Sequence, residues 1–421
     1  MKKKQNVINI GCRLNSFESS VIKRILDSNK IKNKVVVNTC AVTNQAVKRS
    51  ISAIKKAKKI NPDCKIYVTG CASDIDKDYF SNIKEIDRII PNKIKTDEEI
   101  YALDDIEEIL ENTKKKMFSF PILKERFHNR TRALLQIQQG CNHRCTFCII
   151  PYGRGNSQSL PIQGIIENVN KLLSWGYKEI VFTGVDITSY GNDLPGKPSL
   201  GDTIRRVLDI QPKLKRIRFS SIDPAEIDDE LFNLFSFEKR VLPHIHLSVQ
   251  AGDNLILKRM KRRHSRENLI SLCKSLRKNR PELTFGADLI VGFPTEDNKN
   301  FMNTFKCVKE CLFSNIHIFP FSPKKNTPAS KMPQVSNLEK IKRVKEMQKL
   351  SMKIKNKILF KSLGKEKNIL FENEKVSYSD EYLKVSVKNL TNKQIKNLRG
   401  KIIKVLPLKI ENQVLQSKLL V

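Results

Sequence analysis

The sequence has no hydrophobic run long enough to cross a lipid bilayer. None of its apolar stretches reaches the ~18–20 residues that a membrane-spanning helix needs. Its first residues, MKKKQNVINIGC, are basic, but Asn6 and Asn9 interrupt the apolar segment that a secretory signal requires. We therefore expect a cytoplasmic protein that does not enter a membrane.

Acidic residues are few compared with basic ones. The chain has 44 Asp and Glu against 78 Lys and Arg, which gives a formal net charge of +34 at pH 7. A positive field of that strength attracts polyanions and favours nucleic acid as a partner. The alternative is composition alone, because an excess of Lys over Arg and abundant Asn and Ile are typical of an AT-rich genome.

The sequence also lacks an obvious acid–base pair for catalysis. Its 6 His residues are mostly isolated, and we assign none of them a catalytic role. Cysteine, by contrast, is plentiful, with 10 residues. Cysteines of a cytosolic chain are kept reduced, so clustered ones indicate a metal site rather than disulfides.

The 421 residues suffice for two to three domains. Residues 1–100 alternate strands and helices, which predicts an α/β domain with a parallel sheet. Residues 101–128 are charged and weakly periodic, so we interpret them as a linker, with a short helical stretch near Asp104–Glu111. The strands predicted in the first domain are Val7–Ile10, Val35–Asn38 and Lys65–Thr69.

A second α/β region spans residues 129–355. Its six β/α units predict a partial or full barrel, a fold whose chemistry lies at the C-terminal ends of the strands. The strands predicted for it are Ala133–Gln136, Glu179–Thr183, Arg216–Phe219, His244–Val249, Phe285–Val291 and Ile316–Phe319.

The last part of the chain begins with a Lys-rich helix predicted over 331–357. Residues 356–421 then show short alternating runs, such as Tyr382–Val387 and Lys401–Leu406, which predict a small all-β domain. Residues 331–421 carry 22 basic and 8 acidic side chains. That excess suits a nucleic-acid interface and equally suits a solvated surface in a Lys-rich protein.

The densest cysteine motif is CxxxCxxC, formed by Cys141, Cys145 and Cys148 just after the first strand of the second region. Thiolates are the usual ligands of iron–sulfur clusters. A four-iron cluster on three cysteines keeps one iron open, as a catalytic metal requires. The alternative is a zinc site completed by a fourth ligand such as His143.

Three further cysteines, Cys12, Cys40 and Cys71, each follow one of the first three predicted strands. Because the C-terminal ends of parallel strands lie along one edge of a sheet, these thiols could converge. Buried free cysteines are an equally good explanation from the spacing alone. The remaining cysteines are interpreted as packing residues: Cys64, Cys273, Cys307 and Cys311.

The motif and its surroundings resemble the radical S-adenosylmethionine superfamily, and within it the methylthiotransferases. The closest resemblance is to the tRNA enzymes that act on N6-threonylcarbamoyladenosine, and it runs from Gly11 to about Pro333. The segments that carry it are Gly140–Pro151, Tyr152-Gly153-Arg154-Gly155, Gly184–Gly191, Ser248–Ser265 and Gly292-Phe293-Pro294-Thr295-Glu296.

This resemblance implies that Cys141, Cys145 and Cys148 hold the catalytic [4Fe-4S] cluster, and that S-adenosylmethionine binds at the strand ends. Gly184, Gly252 and Gly292 would let the backbone approach the cofactor closely. The residues implied in cofactor binding are Thr183, Gly184, Asp186, Ser220, Ser221, Ser248, Gln250, Gly252 and Gly292.

The resemblance also favours a second [4Fe-4S] cluster on Cys12, Cys40 and Cys71. It implies that the first cluster cleaves S-adenosylmethionine to a radical, which removes hydrogen from C2 of an adenine in the tRNA anticodon loop. The second cluster would present a methylated sulfur, and an external electron donor and sulfur source would be needed.

The C-terminal domain resembles a short form of the TRAM-type RNA-binding module that ends such enzymes. Three positions depart from the family pattern, namely Gln158, Lys324 and Asn326, where the first two usually carry Arg and the third Gly. The alternatives are the same chemistry on isopentenyladenosine or on a ribosomal-protein aspartate, or a zinc-dependent RNA-binding protein without catalysis.

Overall fold

A computed structural model describes residues 6–102, 118–127 and 130–420 of the chain. Its first part is a four-stranded parallel sheet in the order β1-β2-β3-β4. The three predicted strands are confirmed, and β4, which has only two residues, was not predicted. The elements of this part are β1 (Val7–Asn9), α1 (Arg13–Ser28), β2 (Lys34–Thr39), α2 (Asn44–Ile60), β3 (Lys65–Gly70), α3 (Cys71–Ile75), α4 (Lys77–Ser81) and β4 (Arg88–Ile89).

The second part contains six parallel strands arranged as two sheets, β5-β8-β9 and β10-β11-β12. Parallel bridges from Ile217 to Val241 and from Ile222 to Leu247 join the sheets edge to edge. All six predicted strands are present and together form a partial barrel. The six strands are β5 (Ala133–Gln136), β8 (Ile180–Thr183), β9 (Ile217–Phe219), β10 (His244–Gln250), β11 (Thr284–Val291) and β12 (Phe313–Pro320). Two short strands, β6 (Gln138–Gln139) and β7 (Gln158–Ser159), pair antiparallel as a separate sheet.

Helices follow the strands of the partial barrel and pack on its outside, as β/α units require. Several begin at side-chain caps, for example at Ser199, Asp228 and Ser265, whose oxygens accept backbone N–H groups of the first turn. The helices are α5 (Ile150–Arg154), α6 (Ile162–Ser174), α7 (Leu200–Ile210), α8 (Asp229–Phe237), α9 (Asn254–Arg259), α10 (Arg266–Asn279) and α11 (Asn298–Cys311).

One hydrophobic core continues from the first sheet into the partial barrel. Phe17 and Val21 on the inner face of α1 belong to the same buried cluster as Leu135 and Phe182 of the barrel strands. Phe127 packs edge-on against Phe17, so the end of the predicted linker is part of this core. The helical stretch predicted at Asp104–Glu111 lies outside the described residues. The predicted domain boundaries remain predictions.

A long helix leads to a closed β-barrel at the C-terminus, with strand order β13-β14-β15-β17-β16. The helix predicted over 331–357 begins at Asn337, because Ser336 caps it there. The small β domain is confirmed, with one added helix that starts at a capping box of Thr391 and Gln394. The elements are α12 (Asn337–Lys361), β13 (Lys367–Leu370), β14 (Ser377–Ser379), β15 (Lys384–Val387), α13 (Asn392–Leu398), β16 (Ile402–Glu411) and β17 (Val414–Leu419).

The C-terminal barrel docks on the N-terminal ends of the partial-barrel strands. Arg218 donates to the backbone oxygens of Ser379 and Asp380 at 2.9 and 3.0 Å. The ring of Tyr382 stacks on His244 with 4.8 Å between centroids. The opposite, C-terminal ends of the strands are thereby left for chemistry. Across the described ranges, no helix is long and apolar enough to span a membrane.

Candidate active site

The CxxxCxxC loop starts at a turn that only glycine fits. Gly140 has φ +71°, and a Cβ there would lie 1.9 Å from the backbone oxygen of Asn156. Two hydrogen bonds then close the loop: Cys141 N–H donates to the Gly155 oxygen at 3.0 Å, and Cys148 N–H to the Cys145 oxygen at 3.0 Å. The loop is therefore held by the backbone, independently of any metal.

The three thiols of this loop influence one another. Burial, with a smaller contribution from the neighbouring Cys145 thiol, raises the pKa of Cys148 to about 11. Burial likewise raises the pKa of Cys141, with Asp186 and Cys148 adding to the shift. Thiols held this close are costly to ionise unless a metal binds them. Three converging thiol donors fit a cluster with one open iron.

His143, the candidate fourth zinc ligand, has other partners. Its Nε2 lies 3.1 Å from a carboxylate oxygen of Asp186 and 3.1 Å from one of Glu226. These two hydrogen bonds raise the pKa of His143 to about 9. Arg263 completes the group by pairing with Glu226 at 2.6 Å. The imidazole is thus engaged by carboxylates, which weakens the zinc alternative.

The end of β8 is fixed against the cysteine loop. The Oε1 of Gln138 accepts the backbone N–H groups of Val185 and Asp186, both at 2.9 Å. Asp186 in turn lies 3.4 Å from the sulfur of Cys141 and accepts from the hydroxyl of Ser189 at 2.8 Å. Asp186, a predicted cofactor residue, is therefore beside the predicted cluster.

Two hydroxyl groups at strand ends are buried with no hydrogen-bond partner in the described part of the chain. They are the Oγ1 of Thr183, which ends β8, and the Oγ of Ser220, which follows β9. A buried hydroxyl without a partner costs free energy, so such groups indicate a missing ligand or water. Both residues belong to the set implied in S-adenosylmethionine binding, and their chemistry fits that cofactor.

The three glycines expected to make room for the cofactor have neighbours from the protein itself. A Cβ at Gly252 would lie 2.6 Å from the Cβ of Cys307, and one at Gly292 would lie 2.4 Å from Lys340. A Cβ at Gly184 would lie 2.6 Å from Gln138. Close packing within the chain is thus sufficient reason for glycine at these positions. Their contact with S-adenosylmethionine stays a prediction.

The remaining predicted cofactor residues lie at the ends of β9 and β10. Ser248 offers its backbone oxygen to Arg262 at 2.6 Å. Gln250 ends β10 in the left-handed region with φ +67°, and Ser221 donates to Asp288 at 3.4 Å. The structure therefore places all nine predicted cofactor residues at one end of the partial barrel.

Cys12, Cys40 and Cys71 follow β1, β2 and β3 and converge at one edge of the first sheet. Burial, with smaller contributions from the neighbouring thiols of Cys12 and Cys71, raises the pKa of Cys40 to about 11. Gly11 has φ +119°, and a Cβ there would lie 3.0 Å from the Cys40 sulfur. The donor set again fits an iron–sulfur cluster, and its assignment as a ligand set stays a prediction.

A buried arginine from the barrel region reaches into this second set. The Nε–H of Arg154 donates to the Cys71 sulfur at 3.1 Å. The guanidinium also pairs with Glu18 through both of its terminal nitrogens and donates to Asn15 at 2.6 Å. Lys95, fully buried, binds the same Glu18 carboxylate at 2.5 Å. Two cations against one carboxylate leave a net positive charge beside the three thiols.

The two cysteine sets lie next to each other across the interface of the first two regions. Electrostatic interaction with Cys71 contributes to raising the pKa of Cys148, which burial dominates. A Cβ at Gly153 on α5 would lie 3.2 Å from the backbone oxygen of Cys71. The interface thus brings residues more than seventy positions apart into one site, an arrangement that spacing alone could not predict.

The three departures from the family pattern have local explanations. Asn326 has φ +67°, a conformation that Asn tolerates better than most residues when it replaces Gly. Lys324 donates to Asn44 at 2.9 Å, and burial lowers the pKa of its amine to about 8. Gln158 is the first residue of β7 and pairs with Gln139. Asn44 lies at the start of α2, so Lys324 ties the barrel to the first region near Cys40.

Several polar residues of the site have no signal in the sequence. Two groups in the described part of the chain have a geometry that could hold a metal: His143 with Asp223 and Glu226, and His246 with Asp288 and His317. The second group was detectable in part, because His246 and Asp288 lie inside strands that sequence analysis had located. Whether these two side chains contact each other depends on the register between β10 and β11, which cannot be predicted from the sequence.

Comparison with known families agrees with this architecture. A Radical SAM superfamily profile matches residues 135–308, and the profile of Uncharacterized protein family UPF0004 matches residues 4–91. The radical S-adenosylmethionine methyltransferase TsrM from Kitasatospora setae has a similar fold, with a TM-score of 0.51, 12% identity and coverage of 73% of this chain and 66% of that one. The partial barrel and its cysteine loop define a radical S-adenosylmethionine enzyme.

Relatives that match nearly the whole chain show which family of radical S-adenosylmethionine enzymes it belongs to. The threonylcarbamoyladenosine tRNA methylthiotransferase MtaB of Rickettsia prowazekii is 44% identical over 384 residues, covering 91% of each chain. Its counterpart in Aquifex aeolicus is 32% identical, covering 94% of this chain and 98% of that one. A tRNA-2-methylthio-N(6)-dimethylallyladenosine synthase of Carboxydothermus hydrogenoformans is 30% identical, covering 96% of both. The chain belongs to the family of threonylcarbamoyladenosine tRNA methylthiotransferases. Membership of this radical S-adenosylmethionine family implies that the protein uses a [4Fe-4S] cluster and S-adenosylmethionine.

Proposed function

We propose that this protein methylthiolates C2 of N6-threonylcarbamoyladenosine at position 37 of tRNA, next to the anticodon on its 3′ side. The observation that carries the proposal is the pair of cysteine sets that meet across the domain interface, in a chain whose relatives at 44% and 32% identity act on that nucleoside. A single cluster would supply a radical but no sulfur carrier.

When bound, the two clusters and S-adenosylmethionine supply a radical that removes hydrogen from C2 and a methylated sulfur that replaces it. The protein holds these groups. Cys141, Cys145 and Cys148 are the proposed ligands of one cluster, and Cys12, Cys40 and Cys71 those of the other.

Other side chains orient the reactants rather than react. Thr183 and Ser220 would offer their unpaired hydroxyls to S-adenosylmethionine, and Asp186 lies 3.4 Å from the sulfur of Cys141. Arg154 and Lys95 place positive charge beside the second cluster, which lowers the cost of holding anionic thiolates and sulfide there.

The tRNA stem that adjoins the substrate loop is proposed to be held by basic surface on the C-terminal barrel and on α12, while the loop itself reaches the C-terminal ends of the strands. Bases of a single-stranded loop can leave their stack and enter a protein pocket, which a base in an RNA helix cannot do. The exposed lysines on α12, Lys349, Lys353 and Lys357, follow one another by one turn and face solvent. We further propose that the protein is cytoplasmic and that it needs an external electron donor and an external sulfur source.

Iron–sulfur content tests the two-cluster proposal first. We expect anaerobically reconstituted protein to hold about eight irons per chain, and a Cys141/Cys145/Cys148→Ala triple variant to hold about four. Four in the wild type and none in the variant would remove the sulfur carrier from the proposal. A Cys64→Ala variant, which changes a buried cysteine outside both sets, is the control and should keep about eight.

Nucleoside analysis then tests the substrate. Transfer RNA that carries threonylcarbamoyladenosine, incubated with the reconstituted enzyme, S-adenosylmethionine and a reductant, should gain a methylthio group detectable by mass spectrometry. Isopentenyladenosine is the second candidate, because relatives that are 30% identical over nearly the whole chain bear its name. A product on isopentenyl tRNA alone would replace the first candidate by the second.

A further inference from the structure

A cluster of titratable side chains inside the partial barrel has no role in the function proposed above. His246 lies on β10, Asp288 on β11 and His317 on β12. One oxygen of Asp288 lies 3.0 Å from Nε2 of His246 and 2.9 Å from Nδ1 of His317. An ionised carboxylate only accepts hydrogen bonds, so both imidazole nitrogens are donors here.

The carboxylate of this cluster is charged, and its geometry is fixed. Burial alone would raise the pKa of Asp288, but the hydrogen bonds from His246 and His317 hold it well below its usual range. The two rings lie 4.8 Å apart. Gly286 leaves room for them, because a Cβ there would lie 2.4 Å from Nδ1 of His246. The imidazoles are therefore held in place rather than free to rotate.

The cluster faces the open side of the barrel. His246 has only 7% of its side chain exposed, whereas His317 has 56%. β12 is the last strand of its sheet, so the outer imidazole stands at the edge where the barrel is not closed. Because Nδ1 of His317 binds Asp288, Nε2 on the far side of the exposed ring is available to a ligand.

The cluster lies directly below the predicted cofactor site. Ser221 donates to Asp288 at 3.4 Å, and Ser248 stands two residues beyond His246 on the same face of β10. Both serines belong to the set implied in S-adenosylmethionine binding. A substrate whose reactive carbon meets that cofactor would therefore place its neighbouring atoms against His246 and His317.

The chemistry of the substrate indicates which atoms these are. C2 and the carbon that bears N6 belong to the same six-membered ring of adenine and are separated only by N1. A threonylcarbamoyl group on N6 carries a carboxylate, a hydroxyl and a urea, all of which need polar partners. An isopentenyl group offers only carbon, and packing it against an ionised Asp288 would leave polar groups without partners.

We propose that His246 and His317, positioned by Asp288, form the subsite that binds the polar N6 substituent of the substrate adenine. This inference rests on the proposed function and gives its specificity a structural origin. With its Nδ1–H donating to Asp288, the Nε2 of His317 accepts from the hydroxyl or a urea N–H of the threonylcarbamoyl group, and His246 supports it from the buried side. A site built to hydrogen-bond a polar group strongly rejects analogues that lack it.

Binding of matched RNAs tests the subsite. Anticodon stem–loops that carry threonylcarbamoyladenosine, isopentenyladenosine or adenosine at position 37 would be titrated with the reconstituted enzyme and S-adenosylmethionine, without reductant, by fluorescence anisotropy. The wild type should prefer the threonylcarbamoyl loop over the adenosine loop. In His317→Leu that preference should fall about ten- to a hundredfold, while affinity for the adenosine loop stays the same. Asn315→Ala, two residues earlier on β12, should keep the preference.

Three further outcomes are decisive. An unchanged preference in both His317→Leu and His246→Leu, with iron content and melting temperature preserved, would overturn the subsite. A zinc or other non-iron metal in the wild type that disappears in His317→Leu would also overturn it, because the cluster would then be a metal site. If the wild type makes no methylthio product on threonylcarbamoyl tRNA, the proposed function fails, and the binding arm still reports on the subsite.

Discussion

Arg154 is a buried cation whose partners come from a different part of the fold. It lies on α5, beside the cysteine loop, yet it binds Glu18 on α1 and the sulfur of Cys71 at 3.1 Å. Lys95 also pairs with Glu18, so loss of Arg154 leaves that carboxylate neutralised but removes charged hydrogen bonds, which are worth about 1.5–3 kcal/mol each. We therefore expect Arg154→Met to lower the free energy of unfolding by about 2–3 kcal/mol.

The same substitution removes a hydrogen bond to a proposed ligand sulfur. Hydrogen bonds to sulfur help set the reduction potential of an iron–sulfur cluster. In a Cys141/Cys145/Cys148→Ala background, which retains only the second cluster, Arg154→Met should move the midpoint potential to a more negative value in an EPR-monitored titration. Arg206→Met, an exposed change on α7, is the control for loss of charge. An unchanged potential would show that Arg154 acts on stability alone.

Glu179 gives a pH-dependent prediction at the base of the barrel. Burial would raise the pKa of this carboxyl, but Arg218, Arg216 and Arg132 together hold it below its usual range. Its folded pKa is therefore lower than its unfolded one, so the stabilisation is present at neutral pH and is lost as pH falls below about 4.3. Glu179→Gln should lower stability at pH 7 and flatten the acid limb of a stability–pH curve.

Chemical denaturation across pH 3–7 would measure that effect. The control is Glu282→Gln, which removes an exposed carboxylate paired with Arg280 at 3.0 Å and should change little, because surface ion pairs contribute at most about 1 kcal/mol. Parallel stability–pH curves for wild type and Glu179→Gln would contradict the assignment of this carboxylate as a buried anion.

Among the structural elements, the positions of the strands could be predicted from the sequence, whereas the contacts between elements could not. All six barrel strands were located because each is a short Val/Ile/Leu/Phe-rich run that β/α units bury. The CxxxCxxC set was predicted from its spacing. Cys12, Cys40 and Cys71 each follow a predicted strand, but only the family resemblance favoured a cluster on them. The contacts between elements were not predictable: Arg154 with Cys71 and His317 with Asp288 depend on domain docking and on strand register, which have no local signal.

The cysteine loop provides a prediction about one element. Gly140→Ala would force a Cβ to 1.9 Å from a backbone oxygen at φ +71°, so the turn before Cys141 has to deform. We expect the purified variant to reconstitute only the second cluster, with iron falling from about eight to about four per chain. Elemental analysis and absorption spectra would measure this loss.

Gly155→Ala is the matched control for this loop. Gly155 has a similar φ of +75°, but no atom lies within 4 Å of the position that its Cβ would take. The substitution therefore carries only the cost of a backbone conformation that favours glycine, with φ +75° and ψ −169°, about 1–3 kcal/mol, and iron content should stay near that of the wild type. Equal iron loss in both variants would mean that backbone strain, rather than the steric contact at Gly140, decides cluster assembly.

On the scale of the whole molecule, three regions meet around the partial barrel. The first region closes the strand ends that carry the chemistry, and the C-terminal barrel closes the opposite ends. Tyr382 of the C-terminal barrel touches both other regions, because Arg13 on α1 donates to its hydroxyl at 3.3 Å and His244 stacks on its ring. Deleting the C-terminal barrel would therefore disturb the site as well as any RNA contact, so truncation cannot separate the two roles.

Charge substitution on the C-terminal barrel separates these roles. Lys401, Lys404 and Lys418 are exposed there. If this surface binds the phosphate backbone, a Lys401/Lys404/Lys418→Gln variant should bind tRNA more weakly, and its slope of log affinity against log salt should fall by about two. Reconstitution and S-adenosylmethionine cleavage without RNA should be unchanged, because the strand ends are not altered.

The control removes three exposed lysines from the outer helices α10 and α11, Lys274, Lys278 and Lys309. An equal loss of affinity in the control would mean that the net charge of +34 attracts tRNA without a defined surface, whereas a loss confined to the first variant would assign the RNA contact to the C-terminal barrel.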